Sequence, residues 1–256
     1  MLYSTFGNKF IVKGTIVAVD PIHIGAASSD SLNPIEVDNA VLKDSNGNPV
    51  IPGSSLKGVV RSQFESVLKL MGKTVCDIHN DRDEKCISKA KADTIKKKDI
   101  SRKEQAEELY NGSCEVCRLF GGRYFAGKLH FKDCSYTGDS PCQFEKRDGV
   151  GIDRETGAAK KNVKYDYKII PKGTCFDFEI IAENLDAEQE SYLDFIIRLL
   201  CGEGISEGDY LAIGGKTTRG LGRIVLRDFT KEKITPDELR NRVELLMMSR
   251  IACEGE

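Results

Sequence analysis

A histidine and three carboxylates, His23, Asp30, Glu36 and Asp38, follow one another in one polar stretch. An isolated Asp titrates near 3.9, which makes it a poor general base at neutral pH. It can instead hold a divalent cation or orient the attacking 2′-hydroxyl of RNA. A solvated loop carboxylate is the competing reading. A second segment, Pro52-Gly53-Ser54-Ser55-Leu56-Lys57-Gly58-Val59-Val60-Arg61, opens a helix. Free N–H groups and a partial positive charge at such an end suit a phosphate. Lys57 and Arg61, four apart, share a face. An ordinary capped helix with two surface cations has the same spacing.

The third segment is Ile213-Gly214-Gly215-Lys216-Thr217-Thr218-Arg219-Gly220-Leu221-Gly222-Arg223. Its Gly-Lys-Thr resembles a phosphate loop, but that motif needs a glycine where Tyr210 stands, so the match fails and speaks against an ATPase. Glycines with Lys216, Arg219 and Arg223 still suit close approach to a sugar-phosphate backbone. A flexible hairpin loop is the alternative. The run Asp44-Ser45-Asn46-Gly47-Asn48 begins like a calcium loop. Pro49 and Ser55 occupy the positions where glycine and an acid are required, so it reads as a turn.

Nine cysteines are present, and they are unevenly spread. Cys114 and Cys117 form a CxxC, with Cys76 and Cys86 upstream in the same polar stretch. Four thiolates in tetrahedral array favour zinc, and a polar insertion with little apolar content needs such a staple. His79 is a competing ligand; reduced free thiols are the alternative. The other five sit in apolar settings and read as core.

The elements that must position these groups follow from periodicity. Residues 10–19 alternate as a strand. Residues 54–71 form a helix capped by Ser54 or Ser55, with Leu56, Val60, Phe64, Leu68 and Met71 inward. Strands are predicted at 128–134, 174–182 and 220–229, and helices at 187–201 and 236–248. Without the insertions the order is strand, helix, strand, strand, helix, strand, which is the ferredoxin-like order shared with RNA-recognition domains.

With 256 residues and 40% hydrophobic content, the chain can bury a sizeable core. The net charge of −2 offers no global basic field, so any nucleic-acid contact must come from local cations. No apolar run approaches the roughly 20 residues that span a bilayer. The first eight residues lack a signal-peptide pattern, so a cytoplasmic location is expected.

In order along the chain, these segments resemble the RAMP superfamily of CRISPR-associated proteins. Within it they resemble the backbone family of type III effector complexes (the Csm/Cmr backbone family). The matching stretches are His23-Ile24-Gly25, Val37-Asp38-Asn39, the helix opening 51–58 with Arg61, Cys114 to Gly121, Gly151-Ile152-Asp153-Arg154 with Glu155 to Ala159, and the glycine-rich loop.

The resemblance implies an α+β fold across 1–256. Its modified ferredoxin-like (RNA-recognition-motif) core would carry a thumb hairpin at 135–165 and a cysteine-bearing insertion at 72–120. Copies would stack in a filament along a CRISPR guide RNA, beside other type III effector subunits. The thumb would insert between guide and target bases. Ser54, Ser55, Lys57, Arg61, Arg154, Gly214, Gly215, Lys216, Arg219 and Gly220 would contact RNA. Asp38, assisted by His23 and by Mg or Mn, would cleave target single-stranded RNA at regular intervals. Cys76, Cys86, Cys114 and Cys117 would hold zinc. Active relatives place glycines before the Asp, whereas this chain has Ile35-Glu36-Val37. A non-catalytic guide scaffold and a guide-precursor endoribonuclease are the alternatives.

Overall fold

Phe10, Val12, Ile16 and Ala18 are buried while Lys13 between them is exposed, the two-residue period of a strand with one covered face. This strand, β1 (Lys9–Ala18), lies at the centre of the computed structural model. The structure describes residues 5–25, 41–78, 86–204, 206 and 208–253; of these, the side chains of 161–164 and 248–253 are left aside. The remaining elements are β2 (Val50–Ile51), α1 (Gly53–Leu70), α2 (Lys89–Lys96), α3 (Arg102–Asn111), α4 (Glu115–Phe120), β3 (Leu129–Phe131), β4 (Cys134–Ser135), β5 (Glu145–Ile152), β6 (Ala159–Ile169), β7 (Cys175–Glu183), α5 (Ala187–Leu200), β8 (Ile224–Ile234) and α6 (Pro236–Cys253).

The main sheet has the order β3-β7-β1-β8, antiparallel throughout. Helices α1 and α5 cover one face. Leu56, Val60, Phe64 and Leu68 of α1 meet Leu193, Ile196, Ile197 and Leu200 of α5 in one core with the sheet. Phe64 anchors it, with ring centroids 5.1 Å from Tyr192 and 5.7 Å from Phe120. Burying one such side chain stabilises by about 1.5–3 kcal/mol. Met71, expected inward, lies past the end of α1 and is exposed.

The uncovered face of the sheet carries Lys13, Asp177, Glu179 and Glu183 on β1 and β7. Lysines lie beside these acids: Glu179 is 2.7 Å from Lys132 and 3.8 Å from Lys13, and Glu183 is 3.1 Å from Lys9.

The described part of the insertion carries three helices, α2 to α4. Helices α2 and α3 enclose a small separate core of Ile87, Ala92, Ile95 and Leu109. Ser88 caps α2, and Ser101 with Glu104 forms a capping box on α3. Helix α4 belongs instead to the main core through Val116, Leu119 and Phe120. A buried ammonium locks the lobe down. Lys128 donates to the Asn184 carbonyl and to Gln189 Oε1, both at 2.6 Å, while Gln189 donates to the Tyr110 hydroxyl at 2.8 Å. Strands β5 and β6 form a two-stranded hairpin that joins neither other sheet, with Val150 and Ile152 exposed.

Candidate nucleic-acid interface

Three elements converge where β1 ends. Ile22 pairs with Ile170 at the base of the hairpin, so the chain after β1 runs against β6. His23 is buried, and its Nδ1 lies 2.8 Å from the Lys168 carbonyl. A carbonyl only accepts, so Nδ1 carries the proton and Nε2 keeps its lone pair. The ring meets Tyr167 edge-on at 5.7 Å. Burial, and then the charge of Lys216, hold the imidazole below its ordinary range, against an opposing pull from the Lys168 carbonyl. Both effects favour the neutral ring.

The glycine-rich loop closes on the same spot. Gly215 N–H donates to the His23 carbonyl at 2.8 Å, and Gly222 N–H donates to Pro21 at 2.9 Å. Gly214 has φ +79, and a Cβ there would sit 2.3 Å from the His23 oxygen, so only glycine fits. Lys216 adopts φ 62 and places its ammonium 4.5 Å from the Tyr167 ring centroid. Arg219 donates to the Tyr165 hydroxyl at 2.8 Å, and Tyr165 stacks on Tyr167. Two cations beside two stacked tyrosines form a surface that suits a sugar-phosphate backbone. The tyrosines escaped the sequence reading, although Tyr165 and Tyr167 show the spacing of one strand face.

The same spot holds both ends of the segment containing Asp30, Glu36 and Asp38. Gly25 bridges to Val41, and Leu42 N–H donates to Ile24 at 2.9 Å. Residues 26–40, Asp38 included, lie outside the described residues, as does His79.

The opening of α1 departs from expectation. Pro52 is the N-cap and no side chain caps it, because Ser54 and Ser55 already lie inside the helix and point outward, exposed. The first N–H, on Gly53, is taken by the Asp133 carboxylate at 2.7 Å. A carboxylate thus already sits where a phosphate was expected. Lys57 is half-buried, donates to the Leu129 carbonyl at 3.2 Å, and is held low first by burial and then by Arg61. Arg61 turns inward to Glu65, Gly121 and Cys117. Arg154 stands exposed at the hairpin tip, beside the turn that Asp153 closes by accepting from Glu155 and Thr156.

The cysteines meet as a cluster. The sulfurs of Cys76, Cys86, Cys114 and Cys117 all lie within 4.8 Å of one another. Cys76 and Cys117 are 3.4 Å apart, Cys76 and Cys114 3.9 Å, and Cys86 and Cys117 4.0 Å. Four sulfurs at about 2.3 Å from one ion have edges of about 3.8 Å, so the set fits a tetrahedral cation. None is disulfide-bonded. Their crowding sets the thiols against one another. Cys117 and Cys86 are pushed up, chiefly through hydrogen bonds with Cys114, whose own thiol is pulled down. Cys134, by contrast, is a core residue, pushed up to about 12 by burial.

The sequence profile of the RAMP superfamily matches residues 15–225, which takes in all of these groups. The chain belongs to the RAMP superfamily. Among similar proteins is one of Methanocaldococcus jannaschii, 27% identical over 244 residues, covering 88% of this chain and 81% of the relative. Another, from Streptococcus thermophilus, is 30% identical over 234 residues, 84% of each chain. A third, from Enterococcus italicus, is 27% identical and covers 85% of this chain and 89% of its own. All three are named CRISPR system Cms endoribonuclease Csm3.

Proposed function

We propose that this RAMP protein is a guide-RNA-binding backbone subunit of a type III CRISPR effector complex, and that it cleaves complementary target RNA with Asp38. The observation that carries this reading is the junction of His23, the glycine-rich loop and the hairpin base around both ends of segment 26–40. Asp38 is three residues from Val41, a span of at most about 11 Å. The names of the similar proteins agree with the chemistry.

The residues divide into roles. Lys216, Arg219, Gly214, Gly215 and Gly220, with exposed Ser54 and Ser55, hold RNA phosphates, and Lys57 contributes through its remaining donors. Arg154 and the β5–β6 hairpin reach between guide and target bases. Asp38 holds a divalent cation, Mg or Mn, which supplies Lewis-acid chemistry at the scissile phosphate. His23, neutral with Nε2 unprotonated, is suited to accept a proton nearby. The four cysteines hold a structural zinc. The strand order, with α1 and α5 on one face, supports a ferredoxin-like core. Copies of the chain stack along the guide with other effector subunits, in the cytoplasm.

The deciding experiment assembles the complex with Asp38→Ala and supplies complementary RNA and magnesium. Cleavage should fall by at least about 100-fold, with guide and target binding retained. Undiminished cleavage would sink the assignment to Asp38. A wild-type complex that holds target RNA intact would instead favour a non-catalytic scaffold.

A further inference from the structure

We propose that Arg61 is a positioning residue of the cysteine centre, donating to a ligand sulfur, and that it is not an RNA phosphate contact. The inference rests on reading the four cysteines as a metal site.

The geometry leaves the guanidinium little to offer solvent. Its side chain is 15% exposed. Nε donates to Glu65 Oε1 at 2.8 Å, one terminal nitrogen to the Gly121 carbonyl at 3.0 Å, and the other to Cys117 Sγ at 3.5 Å. One planar group thus joins α1 to both the last turn of α4 and the sulfur within it. Lysine cannot reproduce this, because its ammonium lacks the fixed fork.

Charge explains why such a group is needed. Four thiolates around a divalent cation carry a net charge of about −2. Two of the four cysteines are buried, where uncompensated charge is costly. Hydrogen bonds to ligand atoms offset that cost and hold the ligands in place. The Cys114 N–H, donating to Cys86 at 3.2 Å, gives a neutral one. Arg61 gives a charged one, roughly twice as strong. Glu65 in turn fixes the guanidinium and balances its charge. The arrangement also ties the metal lobe to the helix that bears Lys57, one turn away.

The test uses the full chain with Arg61→Met, Arg61→Lys and Glu65→Gln. Zinc content, zinc transfer to a chromogenic chelator, the thiolate-to-cobalt absorption band of Co-loaded protein, and the salt dependence of single-stranded RNA binding are measured together. Arg61→Met should speed zinc transfer by about 10-fold or more and shift the cobalt band. Arg61→Lys and Glu65→Gln should fall between it and wild type. The salt slope should stay at the wild-type value. A phosphate contact would behave the opposite way: the slope would drop by about 0.7 for one lost contact with zinc transfer unchanged, and that overturns the inference. Unchanged transfer with an unchanged slope overturns it as well. If Arg61→Met loses its fold by circular dichroism, the charge-preserving Arg61→Lys and the Glu65→Gln variant decide by the same readings. Wild-type protein that binds neither zinc nor cobalt overturns the metal reading itself, a result distinct from zinc-loaded protein indifferent to Arg61.

Discussion

Replacing Gly214 by Ala separates the junction at His23 from mere loop flexibility. Gly214 has φ +79, and a Cβ there falls 2.3 Å from the His23 oxygen and 3.0 Å from its carbon. Real Cβ contacts essentially never come closer than 3.0 Å, and both atoms are backbone, so the loop must retreat. That movement breaks the 2.8 Å bond from Gly215 N–H to the same oxygen. Left-handed backbone on alanine costs about 1–2 kcal/mol, and the lost hydrogen bond about 1 kcal/mol. Gly220 provides the control, since its φ of +77 is nearly the same but nothing lies within 4 Å of a Cβ. Gly220→Ala should cost only the backbone part, about 1–2 kcal/mol. Urea unfolding should therefore rank Gly214→Ala below Gly220→Ala by at least about 1 kcal/mol. In the assembled complex, Gly214→Ala should also slow target cleavage by about 10-fold or more, because a displacement of about 1 Å near the chemistry is costly. Equal stability of the two variants, with Gly214→Ala cleaving at the wild-type rate, would refute the claim that this loop positions the site.

Stripping metal with a chelator should open the lobe before the core. The buried core that α2 and α3 share is small, Ile87, Ala92, Ile95 and Leu109, so limited trypsin treatment should then cut at Lys89, Lys91, Lys96 or Lys97 while the sheet stays protected. His23 should titrate below 6.5 by NMR, because burial favours its neutral form. The unfolded state then binds the proton first, so this contribution to stability is present above about pH 6.5 and is lost as pH falls toward the folded value. Lys216→Ala should weaken single-stranded RNA binding about equally across sequences and lower the salt slope by about 0.7; an unchanged slope would remove Lys216 from the phosphate contacts.

Much of the fold could be read from periodicity, because side chains in β1, α1 and α5 alternate or repeat with the burial they meet. The bounds shifted where backbone partners decide. The strand expected at 128–134 splits into β3 and β4 around Lys132 and Asp133, whose carboxylate turns back to hold Gly53. The last strand begins later than expected, at Ile224, because the preceding glycines wrap Pro21 and His23 instead of pairing along β1. The two-stranded hairpin runs from Glu145 to Ile169, while the preceding Cys134–Ser135 pairs with β2 instead. Spacing could place the four cysteines in one stretch but could not show that Arg61, on another helix, reaches the Cys117 sulfur. A cation four residues from Lys57 looks the same in sequence whether it faces solvent or a thiol.

The same limit governs where RNA can lie. Strand order alone suggests the open sheet face, as in RNA-recognition domains that stack bases on sheet aromatics. Here the central strands offer that face Lys13, Thr15, Asp177, Glu179 and Glu183, with no aromatic side chain among them. Three acids would repel phosphates, and the neighbouring lysines are engaged with those acids. The tyrosines and the glycine-loop cations Lys216 and Arg219 sit instead at the end of the sheet, where β1 passes into His23 and β6 returns from the hairpin. An RNA strand following charge and aromatic surface would cross that end, where Gly25 and Val41, the two ends of the segment bearing Asp38, also meet. Binding and cutting would then share one edge of the fold, with the acidic sheet face turned away from the RNA.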